Sequence, residues 1–186
     1  MLTRAPAPGG MTHRRTLLLL ICAGAVALAA GAYFAWNERQ ERGAQAEQAA
    51  TLLALGLPDA AGKQELLAQW RGKLLVVNFW ATWCAPCREE MPEFVRLQQR
   101  FGPKGLQFVG IAVDDADKVR QFSQEIGLNY PALIGGYGAM ELSRALGNRL
   151  MALPFTVIVG RDGSIQHTQL GPMKSDQLQR MIDKLL

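Results

Sequence analysis

Leu74-Leu75-Val76-Val77-Asn78-Phe79-Trp80-Ala81-Thr82-Trp83-Cys84-Ala85-Pro86-Cys87-Arg88-Glu89-Glu90-Met91-Pro92 is the stretch that decides the fold. An apolar run of strand length, Leu74 to Phe79, hands over through two cysteines to a segment in which Met91, Phe94, Val95 and Phe101 follow helical spacing. The cysteine pair therefore sits where a strand gives way to a helix. A side chain at a helix start meets unpaired backbone N–H groups and the positive end of the helix dipole, and both favour thiolate over thiol. Such placement lowers a cysteine pKa from about 8.5 into the range of roughly 3.5–7.5, and thiolate is the nucleophile of disulfide exchange. Cys84 and Cys87 read as a redox dithiol.

Two other uses of a cysteine pair fit less well. A structural zinc site needs about four nitrogen or sulfur ligands. The whole chain holds three cysteines, one of them Cys22 in an apolar stretch, and two histidines, His13 and His167. A purely structural disulfide between Cys84 and Cys87 would close too short a loop to remove much entropy from the unfolded chain.

Outward from the junction the pattern alternates. Leu106 to Val113 is a near-continuous apolar run of the kind a central strand shows, and Asp114 and Asp115 stand where they would cap a helix reaching about Ile126. Tyr130 to Ile134 reads as a short strand ended by Gly135-Gly136, and Ala139 to Leu146 as a helix. Phe155 to Val159 and Ile165 to Leu170 are strands joined at Arg161-Asp162-Gly163, a hairpin signal, and an amphipathic helix runs from Ser175 to Leu186. Strands alternating with helices, followed by a hairpin and a helix, mean an α/β fold with a mixed central sheet.

The N-terminus is of a different kind. His13-Arg14-Arg15 precede an uncharged run from Thr16 to Trp36, twenty-one residues long. At 1.5 Å per residue that is about 31 Å, enough to cross a bilayer core. Basic residues before the run and Tyr33, Phe34 and Trp36 at its far end fit an N-terminus-in orientation. The division that follows is a cytoplasmic n-region over 1–15, a signal-anchor transmembrane helix over 16–36, a polar and partly helical linker over 37–51, and a folded domain over 52–186. Ala27-Leu28-Ala29 keeps a cleaved signal peptide open as the competitor, although the run exceeds the usual signal core of about 7–15 residues. Arg14-Arg15 lacks the surround of a twin-arginine signal, Cys22 follows Ile21 where lipid attachment needs a small residue, and Met11 offers an alternative start.

Charge follows the same division. All sixteen acidic residues lie beyond position 37, with seventeen of the twenty Lys and Arg, so the part after the anchor is nearly neutral. The basic balance belongs to the topology signal, and no basic-aromatic stripe or phosphate-cradling glycine loop points to nucleic acid or nucleotide.

The string from Arg71 to Pro92, with a second motif at Leu153-Pro154-Phe155-Thr156, resembles the TlpA/ResA group of membrane-anchored thiol–disulfide oxidoreductases of the thioredoxin superfamily. The likeness extends over roughly 52–186. It implies a thioredoxin fold with the extra segment this group carries between strands. Cys84, nearest the helix-start amides, is the expected attacking nucleophile, and Cys87, one turn on, the resolving thiol. By the same resemblance Trp83 lies beside the attacking sulfur, filling the core or flanking it. Ala85-Pro86 supplies no side-chain donor, which argues for a potential nearer the thioredoxin end (about −270 mV) than the DsbA end (about −120 mV). Pro86 is also a good first-turn helix residue.

In thioredoxin folds the proline matching Pro154 is cis and faces the cysteines, so Leu153 would pair with an extended substrate; an ordinary trans proline at a strand start is the alternative. Ordinary thioredoxins carry a buried aspartate where Asn78 stands. In the TlpA/ResA group a glutamate three residues after the second cysteine does related work, and Glu90 holds that position. Glu89 reads as a solvated first-turn carboxylate, and Pro92 as a kink in the helix.

The expected function is disulfide exchange with exported proteins, in the reducing direction, by a domain on the periplasmic side of a bacterial inner membrane. No cofactor and no metal are expected, the electrons coming from a membrane donor. Two alternatives share the fold. A copper metallochaperone would use a CxxxC spacing and a distal histidine, and a thiol peroxidase a threonine three positions before its reactive cysteine, where Ala81 stands here.

Overall fold

A computed structural model describes residues 11–186. The first ten residues of the expected n-region, and the start at Met1 or Met11, lie outside the described residues. The chain divides after Gly43 into two compact units. Helix α1 (Met11–Leu53) contains the whole expected membrane segment. From Leu17 to Trp36 its large apolar side chains are exposed on every side, and the stretch is long and apolar enough to cross a membrane.

The linker expected over 37–51 does not stop where the sequence placed its end. The second unit begins at Ala44, because Ala49, Leu52 and Leu53, spaced to lie on one helical face, are buried in its core. A short hairpin that the sequence reading missed follows, β1 (Gly56–Pro58) paired antiparallel with β2 (Gln64–Leu66).

The main sheet has five strands in the order β5-β4-β3-β6-β7: β3 (Leu74–Trp80), β4 (Leu106–Ala112), β5 (Ala132–Ile134), β6 (Phe155–Val159) and β7 (Ile165–Leu170). β3 and β4 are parallel, as are β4 and β5, whereas β6 runs antiparallel to both β3 and β7. Every residue of β3, β4 and β6 is buried, as their mainly apolar runs, each broken by one polar residue (Asn78, Gln107, Thr156), lead one to expect of central strands covered on both faces.

Helices α2 (Ala85–Phe101), α3 (Ala116–Glu125) and α5 (Ser175–Leu185) cover one face, where Leu74, Val76 and Trp80 meet Met91, Phe94, Phe122 and Leu178. The end of α1 and α4 (Gly138–Ala145) cover the other, where Leu75, Val77 and Phe79 meet Leu52, Ala139 and Phe155. Side chains alternate along β3 with the period of two that a strand imposes. Gly110 on β4 is required by this packing, since a Cβ there would come within 2.7 Å of the Trp80 indole nitrogen.

Candidate active site

The active-site helix begins where the sequence placed it, with an unforeseen detail. Cys84 is the N-cap of α2, in extended backbone conformation, with Pro86 in the first turn. Its Sγ accepts the backbone N–H of Cys87 at 3.3 Å. A capping serine or aspartate normally takes that amide; here sulfur does. The same N–H and the helix dipole stabilise negative charge on Cys84 once the disulfide opens. Cys84 and Cys87 are joined by a disulfide. Cys84 is 6% exposed and Cys87 fully buried, so the first sulfur is the accessible one.

Trp83 does not fill the core: it is 68% exposed, immediately before the accessible sulfur. Ala85 is exposed and Pro86 half-buried. α2 continues through Pro92 to Phe101. The Leu153-Pro154 peptide bond is cis. Phe155 pairs with Phe79, so Pro154 lies at the dithiol end of the sheet, and half-buried Leu153 packs on the cluster that contains both cysteines.

Beneath the dithiol lies a buried polar group of three side chains. Asn78 points from β3 toward α2, where its Nδ2 donates to Glu90 Oε1 at 3.0 Å and to Thr156 Oγ1 of β6 at 3.1 Å. The other Glu90 oxygen accepts the backbone N–H of Met173 at 3.0 Å. Asn78 Oδ1 is buried without a partner. Burial pushes the Glu90 carboxyl up from 4.5 to about 7, against the opposing pull of the Met173 N–H and the Asn78 amide. Glu90 is thus a carboxyl that changes charge near neutral pH, three residues and one helical turn beyond Cys87. Tyr130, also buried on this face, has its phenol pushed up by burial and then by the Glu90 charge. Glu89 is exposed, as expected.

The helix caps expected of Asp114 and Asp115 are not made. Asp115 occupies the N-cap of α3 without a side-chain capping bond. Asp114 reaches across to the active-site loop instead, accepting the Thr82 N–H at 3.1 Å and the Thr82 hydroxyl, along with the Asp115 N–H at 2.8 Å. Burial works against that charge, but the bonds from Thr82, Asp115 and Lys118 outweigh it and hold the carboxyl below its usual range. This tie between the turn after β4 and the loop before Trp83 joins residues 32 apart in sequence, and no local pattern signals it.

Comparison with known proteins agrees with this geometry. The Redoxin family model matches residues 42–185. The chain is 30% identical over 173 residues to the thiol-disulfide oxidoreductase ResA of Bacillus cereus, covering 92% of this chain and 94% of that protein. It is 32% identical over 160 residues to the thioredoxin-like protein YneN of Bacillus subtilis, covering 81% and 89%. Among solved structures, a thiol:disulfide interchange protein of the thioredoxin family from Chlorobium tepidum superposes with a TM-score of 0.63 at 29% identity, covering 70% of this chain and 92% of that one. A helix-capping cysteine disulfide-bonded one turn into the helix, on this sheet and with these relatives, places the chain in the Redoxin family as a thiol–disulfide oxidoreductase of thioredoxin fold.

Proposed function

We propose that this oxidoreductase reduces disulfides in exported polypeptides, from a domain held at the exported face of a bacterial inner membrane by residues 16–36. Cys84 thiolate attacks a substrate disulfide, and the departing substrate sulfur takes a proton. Cys87 then gives its proton to the Glu90 carboxylate and attacks Cys84 Sγ, releasing the second substrate thiol. The substrate gains two electrons, and the enzyme is left with the Cys84–Cys87 disulfide. A membrane donor must restore the dithiol, since the chain has no nucleotide or flavin motif. Leu153 offers its backbone to the extended substrate beside the cysteines, and exposed Trp83 flanks the same approach.

The observation that carries this reading is Glu90: a buried carboxyl one turn from the resolving thiol, titrating near neutrality. A residue serving stability alone has no use for that costly arrangement. The test is to trap substrates in cells with Cys87→Ala and to measure the potential of the dithiol. Mixed disulfides through Cys84 to exported proteins and a potential nearer the thioredoxin value are expected. A potential near the DsbA value of about −120 mV would reverse the direction of electron flow.

A further inference from the structure

At the end of the domain away from the dithiol, where β3 and β4 begin and β6 ends, lies a cavity of about 380 Å³ whose lining includes Arg71, Lys73 and Arg161. Two further cations adjoin it. Arg161 donates to the Lys104 carbonyl at 3.0 Å, and Lys104 and Arg100 both sit over the Phe101 ring, at 5.2 and 4.9 Å. The lining holds one carboxylate, Asp162, which accepts the N–H and hydroxyl of Ser164.

Pairing separates these cations from the others. Of the 15 Lys and Arg over 44–186, seven form ion pairs: Lys63, Arg88, Arg96, Lys118, Arg120, Arg144 and Arg180. Among the described residues none of Arg71, Lys73, Arg100, Lys104 and Arg161 does, and these are five of the eight left over. With 14 Asp and Glu the domain is close to neutral, so an unpaired cluster at one end makes it electrically lopsided.

The chain itself decides what this end would meet. Ala46, Ala50 and Leu53, from the end of α1, line the same cavity, so the polypeptide arriving from the apolar segment enters the domain here. Only the seven residues 37–43 separate Trp36 from Ala44, a tether of at most about 25 Å even when fully extended. A bilayer holding the 16–36 segment therefore presents its headgroups to this end at high effective concentration.

We infer that this basic end of the domain docks on anionic phospholipid headgroups, which turns the dithiol away from the bilayer. The inference rests on the reading of residues 16–36 as a membrane anchor. β3 runs from this end to the dithiol, and its six steps from Leu74 to Trp80 span about 20 Å. Docking thus lifts Cys84 at least that far above the headgroups, toward exported polypeptides.

The experiment uses the full chain with Cys22→Ser and the active-site disulfide intact. A fluorophore is attached at Pro103→Cys, on the basic end, or at Tyr137→Cys, near Trp83 at the dithiol end. The protein is placed in nanodiscs of phosphatidylglycerol or phosphatidylcholine containing a headgroup-nitroxide lipid. Strong quenching at position 103 and little at 137 is expected in phosphatidylglycerol, and loss of the difference in phosphatidylcholine or at high salt. Each Lys or Arg at an anionic surface contributes about fivefold to partitioning, so Arg71→Gln with Lys73→Gln should reduce docking about 25-fold. The rate of disulfide exchange with a soluble substrate should not change in that variant. Equal quenching of the two labels in phosphatidylglycerol overturns docking while leaving the anchor standing. Failure of the protein to enter the discs overturns the anchor, and docking with it.

Discussion

The two faces of β3 are built to different rules. Toward α4 and the end of α1, β3 presents apolar side chains alone, Leu75, Val77 and Phe79, which join a buried cluster with Leu52, Ala139 and Phe155. Toward α2, the alternation Leu74, Val76, Trp80 is interrupted by Asn78, which brings Thr156 and Glu90 into a buried polar group and leaves one oxygen without a partner. A buried polar atom left unpaired costs about 1–3 kcal/mol. That cost falls on the face that carries both cysteines. One face holds the domain together and the other holds the chemistry. Variants on each should separate stability from exchange.

The largest effect belongs to the sulfur. Cys84→Ser should lower disulfide exchange by more than about 10³-fold, because a serine hydroxyl is scarcely ionised where thiolate is the nucleophile. Stopped-flow reduction of a model disulfide measures it, and residual exchange within tenfold of the parent would move the attacking role to Cys87. On the opposite face, Leu75→Ala should destabilise the domain by about 2–5 kcal/mol through lost burial and the cavity left behind. Exchange per folded molecule should stay unchanged. Urea unfolding and exchange assays on the same sample test the pair, and a tenfold loss of exchange there would dissolve the division between the faces.

Glu90→Gln should affect both properties, in a pH-dependent way. The folded chain holds the Glu90 proton up to about pH 7, whereas the unfolded chain releases it near 4.5. The stabilisation this proton gives is complete below pH 4.5, falls as pH rises through 7, and is absent above. A gap of that size corresponds to about 3 kcal/mol. The glutamine variant, with nothing to titrate, should lack this fall, as denaturant curves between pH 4 and 8 would show. Its exchange profile should also lose the inflection near neutrality. A parent protein whose stability is flat across that window would place the Glu90 carboxyl in solvent.

How far these regions could be read in the sequence follows from the range of the forces that made them. The strand–helix junction was legible because both signals are local: an apolar run broken by Asn78 alone, then apolar residues at helical spacing behind Cys84. The placement of Glu90 one turn from Cys87 on the same helix was legible for the same reason. The β1–β2 hairpin was not, since its strands are three residues each, too short to show alternation. The last turns of α1 read as spacer because polar residues precede Ala49, Leu52 and Leu53, and only the folded domain supplies the surface that buries them. Asp114 looked like a helix cap and proved to be a tie to Thr82. Cap and tie ask for the same residue type, and tertiary structure decides between them.

The smallest expected effect lies within the polar group and tests whether it works as a unit. The Thr156 hydroxyl accepts one of the two Asn78 N–H bonds while Glu90 accepts the other. Thr156→Val keeps the branched shape of the side chain and removes only that oxygen, at a cost of about 1–3 kcal/mol because an Asn78 N–H is left buried without its acceptor. Asn78 would then be fixed by Glu90 alone, with its Oδ1 already unpartnered, so its amide would turn more freely. Each turn away deprives the Glu90 carboxylate of a donor that opposes the effect of burial. The Glu90 pKa should therefore rise slightly above about 7 in Thr156→Val, following the direction of the bond that was weakened. Titration of the Glu90 carboxyl carbon by NMR would resolve it. An unchanged or lowered value would mean that Thr156 only fills space beside Asn78, and that Asn78 keeps its bond to Glu90 without help from Thr156.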